Sequence, residues 1–117
     1  MSKAARSVFI FGLYLAGLGI ILLTQPNLLL SLFGISETTE VWIRVVGMLV
    51  ILLAVYYTQL ARQEITLFFW LTVYVRCSVI VFLTLFVLMG LSSPTLILFG
   101  AVDLIGAIWT WRELKVN

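Results

Sequence analysis

Three ionisable side chains lie inside or beside long apolar runs: Arg44, Arg76 and Asp103. A charge in hydrocarbon is expensive, so each must face protein or water and find a partner there. Other chemistry is scarce. The chain has no histidine, which removes the commonest general acid–base and the commonest metal ligand. Its one cysteine, Cys77, forms no intrachain disulfide. There is no paired carboxylate, no Ser–His or Cys–His set, no glycine-rich phosphate loop and no cluster of metal ligands. The residues therefore argue against an enzyme, and no catalytic or metal-binding residue is expected.

The elements that must position these charges are membrane spans. Hydrophobic residues make up 63% of the 117 residues and charged ones only 10%, against roughly 45–50% and 25% in soluble domains. Mean hydropathy is +1.22. The net charge of +2 comes from scattered residues, so no nucleic-acid footprint exists. Four apolar stretches stand out, near 7–24, 41–60, 65–90 and 95–111. About 17–25 helical residues cross a hydrocarbon core of about 30 Å. The expected architecture is one all-α domain over 1–117, a bundle of four transmembrane helices. The first span lacks a small-x-small cleavage site and is read as retained rather than as a signal peptide.

Between the first two spans, segment 26–34 reads "PNLLLSLFG". Pro26 suits a first helical turn and Gly34 a helix end, and the segment is too short to cross. A short helix at the membrane interface is expected, with a hydrophobic loop packed on the bundle as the alternative. Ser36 or Thr38 could cap the second span. Alternating spans put Lys3, Arg6, Arg62, Arg112 and Lys115 on one side, while the two opposite connections hold no Lys or Arg. The positive-inside rule then places both termini in the cytoplasm.

Within this frame the depths of the charges follow. Arg76 lies 11 residues beyond Ile65, about 16 Å from the cytoplasmic boundary. Asp103 lies 8 residues before Trp111, about 12 Å from the same boundary. Helical side chains lean toward the helix N-terminus, and these two spans run in opposite directions. A buried Arg76–Asp103 pair is the main expectation. Thr72 lies one turn from Arg76, and Thr110 shares a face with Asp103, Gly100 and Ala107. Arg44 follows Glu40 by four residues, a favourable ion-pair order on a helix. It could equally mark the mouth of an internal cavity. Gly12, Ala16 and Gly19 in the first span form a small-residue stripe, and Gly47, Ala54 and Thr58 form another in the second. These stripes either enclose a narrow polar core or pack helix against helix. Tyr56, Tyr57, Trp70, Trp109 and Trp111 sit where interfacial aromatic belts occur, with one of them lining a ligand site as the alternative.

Taken together, the interfacial segment, "EVWIRVVG" opening the second span, an arginine inside the third and "FGAVDLIGAIWTW" in the fourth make a chain that resembles the small DoxX-like bacterial membrane proteins. The resemblance implies a four-helix bundle of a bacterial inner membrane. Some relatives accompany quinone-linked oxidoreductases. Small multidrug transporters share the length, but their acidic residue in the first span is missing here. Sterol-isomerase-like four-span proteins use acidic and histidine residues that this chain lacks. Two readings follow. In one, the chain is a non-enzymatic binding or accessory protein that holds a lipid, a quinone or a partner membrane protein, or self-associates. In the other it is a small transporter or proton-coupled channel using Arg76 and Asp103.

Overall fold

The structure, a computed structural model, describes residues 1–116. All its regular structure among these residues is helical: α1 (Lys3–Thr24), α2 (Pro26–Leu32), α3 (Trp42–Arg62), α4 (Thr66–Leu88), a single 3-10 turn (Pro94–Leu96) and α5 (Ile97–Val116). The four long helices are apolar enough to cross a membrane, and the molecule is 44 Å along its longest axis. That matches a bilayer of about 40–45 Å with its headgroups. Large apolar side chains cover the outside, with Leu67 69% and Leu88 77% exposed. Such a surface suits hydrocarbon rather than water. The chain fits an integral membrane protein.

Local chemistry sets the helix ends. Ser2 caps α1 by accepting a hydrogen bond from the Ala5 N–H at 3.0 Å. Pro26 opens α2, and Gly34 follows it with φ +67°, a left-handed turn that glycine adopts without strain. The short helix expected over 26–34 is therefore present as Pro26–Leu32. The expected cap on the second span is not: α3 starts after Val41 with no side-chain cap. Thr38 is held in the loop instead. Its N–H donates to Asn27 Oδ1 at 2.9 Å, and its hydroxyl accepts from the Glu40 N–H at 3.0 Å.

Two helix pairs make the bundle. α1 packs along α3, and α4 along α5, while α1 joins the pairs through α5. Glycines bring the paired backbones close. A Cβ on Gly47 would lie 2.7 Å from the Leu23 backbone nitrogen and 2.9 Å from the Gly19 carbonyl oxygen. On the other pair, a Cβ on Gly100 would lie 2.8 Å from the Ile80 Cα. Both small-residue stripes thus serve helix packing.

The pairs meet closely only at the end that holds the termini. There Ala5, Val8, Phe11, Ala54, Tyr57, Ala61 and Phe69 form one buried cluster. Tyr57 belongs to this core rather than to an interfacial belt. Its ring stands edge-on to Phe68 at 5.4 Å, tying α3 to α4. Buried residues of α4 stop at Arg76. Along their length α3 and α4 make few close backbone approaches. A cleft opens between the pairs, and α2 lies across its far end.

Candidate functional site: a buried arginine beneath an apolar cavity

Arg76 is 2% exposed, at the level where the core gives way to the cleft. Its guanidinium is held on three sides. Nε donates to the Thr72 carbonyl at 3.2 Å, and NH2 donates to Thr72 Oγ1 at 3.1 Å and to Thr110 Oγ1 at 2.8 Å. Its carbon centre sits 4.7 Å from the Phe11 ring centroid and 5.8 Å from that of Tyr57. Such ring contacts favour a desolvated cation by roughly 0.5–2 kcal/mol each.

The hydroxyls around it form a chain of fixed direction. A hydroxyl has one hydrogen to give. Ser7 gives its hydrogen to the Ala4 carbonyl at 2.7 Å. The 2.7 Å Ser7–Thr110 bond must then be donated by Thr110. Thr72 gives its hydrogen to the Phe69 carbonyl at 2.8 Å. The donation therefore runs one way: Arg76 to the Thr110 hydroxyl, Thr110 to the Ser7 hydroxyl, and Ser7 to the Ala4 carbonyl. Ser7 and Thr110 are both fully buried, so this alignment replaces the water each group would otherwise hold. NH1 makes no hydrogen bond among the described residues. It faces Gly106, where a Cβ would lie 3.1 Å from NH1 and 2.7 Å from Cδ2 of Phe11. Gly106 is the gap that admits the guanidinium and the ring together.

Asp103 does not join this group. Among the described residues, Arg76 and Asp103 form no direct ion pair, and the Asp103 carboxylate makes no hydrogen bond. The expectation of a direct pair is corrected by the geometry that suggested it. α4 and α5 are antiparallel, and each side chain leans toward its own N-terminus. The leans carry the two head groups past each other. The guanidinium ends between Gly106 and Thr110, three and seven residues past Asp103, about 4.5 to 10 Å along the axis. The carboxylate turns the other way, into the cleft.

There it meets a partly open cavity of about 350 Å³. The wall draws on all five helices, from Leu15 and Leu22 of α1 and Leu30 of α2 to Val50 of α3, Leu83 of α4 and Phe99 of α5. Every lining residue is Leu, Ile, Val or Phe except Tyr14 and Asp103. Neither polar side chain has a hydrogen-bond partner among the described residues. Phe33 follows α2 and stacks obliquely on Phe99 at 4.6 Å, which holds α2 against α5 with Leu29 and Leu30 on the cavity wall. A second groove of about 430 Å³, with no charged residue on its wall, runs outside between α1 and α5.

The other expected residues lie elsewhere. Arg44 is exposed and does not pair with Glu40. Its NH1 donates to the Leu23 carbonyl and, at 3.5 Å, to the Thr24 carbonyl. It satisfies the orphan carbonyls at the end of α1, where the helix dipole favours a cation. Glu40 is exposed in the loop before α3. Of the six expected site residues, Arg76, Thr72 and Thr110 come together, Asp103 lines the neighbouring cavity, and Arg44 and Glu40 are remote. Ser7, Phe11, Tyr14, Tyr57 and Gly106 were not singled out from the sequence as site residues. Ser7 and Phe11 carried a usable signal, since a polar residue and an aromatic one turn apart mark one face of the first span.

No family model matches the chain, and no curated protein or solved structure is significantly similar to it. The likeness to DoxX-like proteins gains no support from these comparisons. The reading of function therefore rests on the site.

Proposed function

We propose that this protein is a non-enzymatic membrane protein that holds one lipid-like molecule, a lipid or a quinone tail, between its helix pairs. The observation that carries this reading is the cavity of about 350 Å³ whose wall is apolar apart from Tyr14 and Asp103. Ligand sites run from about 300 Å³ upward and combine apolar walls with a few convergent polar groups. The cleft lies within the span of the helices, so an apolar tail reaches it from the bilayer without entering water. The buried arginine network braces the floor. In a bacterial inner membrane with both termini cytoplasmic, the α2 end of the cavity would face outward, and the chain could serve a partner membrane protein as an accessory subunit.

A transporter or proton-coupled channel is the second reading, favoured by the free carboxylate of Asp103. Two features count against it. Arginine stays protonated in proteins, and the hydroxyl chain ends on the Ala4 carbonyl, which has no proton to pass on.

The test is extraction of the protein from native membranes in mild detergent, followed by mass spectrometry of what travels with it. Val79→Trp and Leu83→Trp each fill part of the cavity. The reading expects a near-stoichiometric apolar molecule with the parent chain and little with either variant. Equal recovery from all three proteins contradicts it.

A further inference from the structure

The two polar groups on the cavity wall narrow down the head of the bound molecule. This step rests on the reading above. Asp103 sits on α5, and the charged and titratable side chains nearest its end of the cavity are Tyr14 on α1, Tyr57 on α3 and Arg76 on α4. Three nitrogens of donor geometry define Arg76: two are used on Thr72 and Thr110, and the third, NH1, sits beneath Gly106. Gly106 is three residues past Asp103, one turn deeper on the same helix. The arginine is thus close enough to balance the carboxylate in charge, yet supplies no hydrogen bond to it.

That balance selects among heads. An ammonium would add a second buried cation above Arg76 with one carboxylate between them. A carboxylate or phosphate would face Asp103 directly. Both leave an uncompensated charge in an apolar cavity, which is strongly unfavourable. A head with carbonyl oxygens alone accepts from the Tyr14 phenol but leaves Asp103 without a hydrogen. A neutral hydroxyl donates to the carboxylate and can accept from the Tyr14 phenol, which itself lacks a partner. We infer that the cavity takes a neutral, hydroxyl-headed molecule with a single apolar tail, with Asp103 as the acceptor of the head-group hydrogen.

The experiment uses four hexadecyl probes with a mid-chain diazirine. They end in a hydroxyl, an ammonium, a carboxylate or a methyl group. Each is irradiated with the full chain in lipid nanodiscs, and labelled peptides are identified by mass spectrometry. The alcohol is expected to label α1, α3 and α4 residues of the cavity well above the other three. A hydrogen bond corresponds to about a two- to tenfold preference, rising to about a hundredfold where the acceptor is ionised. Asp103→Leu should bring the alcohol down to the level of the methyl-ended probe, and Asp103→Asn, which keeps a carbonyl acceptor, should lose less. If the ammonium or carboxylate probe labels as strongly as the alcohol, or if Asp103→Leu leaves the alcohol unchanged, the head-group inference falls while the cavity reading stands. If no probe labels the cavity of the parent chain, the cavity reading falls with it. The comparison among probes on the parent chain decides the matter even where Asp103→Leu fails to fold.

Discussion

Replacing Thr110 by valine keeps the shape of the side chain and removes its hydroxyl. Two bonds go with it: the 2.8 Å bond from Arg76 NH2 and the 2.7 Å bond to Ser7. A hydrogen bond to a charged group contributes about 1.5–3 kcal/mol, and a neutral one about 1 kcal/mol. Thr110→Val should therefore destabilise the fold by about 2.5–4 kcal/mol. In an Arg76→Met background the cation is gone, and only the Ser7 bond remains to be lost. The same Thr110→Val change should then cost about 1 kcal/mol. The expected coupling between the two positions is about 1.5–3 kcal/mol, well above the ~0.5 kcal/mol scatter of independent sites. Unfolding of the parent, both single variants and the double variant in one detergent, followed by far-ultraviolet circular dichroism, measures it. Additive effects would show that the Arg76–Thr110 bond contributes nothing, and the directed hydroxyl chain would then have no energetic standing.

Three further outcomes follow from particular contacts. Gly47→Ala places its Cβ 2.7 Å from backbone that cannot rotate away, so it should cost about 1–3 kcal/mol, whereas Gly17→Ala, with open space around it, should be neutral or stabilising by up to about 1 kcal/mol; thermal melts of the two variants in detergent separate them, and equal melting would refute the close α1–α3 approach. Arg44→Met should loosen the end of α1 by about 0.3–1 kcal/mol, visible as faster amide exchange confined to the last turn of α1, around residues 21–25. Hydrogen bonds from Ser2, the shortest 2.9 Å from its N–H, and then the nearby N-terminal ammonium hold the Glu64 carboxyl below its ordinary 4.5. A depressed carboxyl stabilises the fold above the unfolded value and loses that contribution as pH falls through the folded one. Because Glu64 is solvent-exposed, the effect is small, and Glu64→Gln should flatten only the acid limb of the stability profile below about pH 4.5; an unchanged acid limb would show that the bond to Ser2 does not persist in solution.

Much of the frame was legible before the structure. Four spans followed from run length, and α2 from Pro26 and Gly34, because each depends only on neighbours in sequence. The polar core was half legible. Depth and helix direction brought Arg76 and Asp103 to adjoining levels, but reach along a helix axis is set by rotamer, which sequence does not carry. The opposed leans looked like convergence and act as divergence. Arg44 shows the same limit. Glu40 was its nearest acceptor in sequence, yet the unpaired carbonyls ending α1 lie closer in space. Tyr57 read as an interfacial residue because tyrosine near a span end usually is one. Its burial follows from the glycine contacts that draw α1 onto α3, where a Cβ on Gly12 would lie 3.0 Å from the Tyr57 Cβ. The cavity itself had no sequence signature, since its wall is made of the same Leu, Ile and Val residues that face lipid elsewhere.

The central claim is that the cleft above Arg76 is a binding site for one apolar tail. A density map of the protein in a nanodisc of native lipids tests it most directly. The account predicts a continuous tube of density running from the α2 end near Leu30 to a head beside Asp103 and Tyr14, within the cavity of about 350 Å³. A map in which α3 and α4 close against each other along their full length, with Val50 packed on Val79 and no room between the helix pairs, would contradict it.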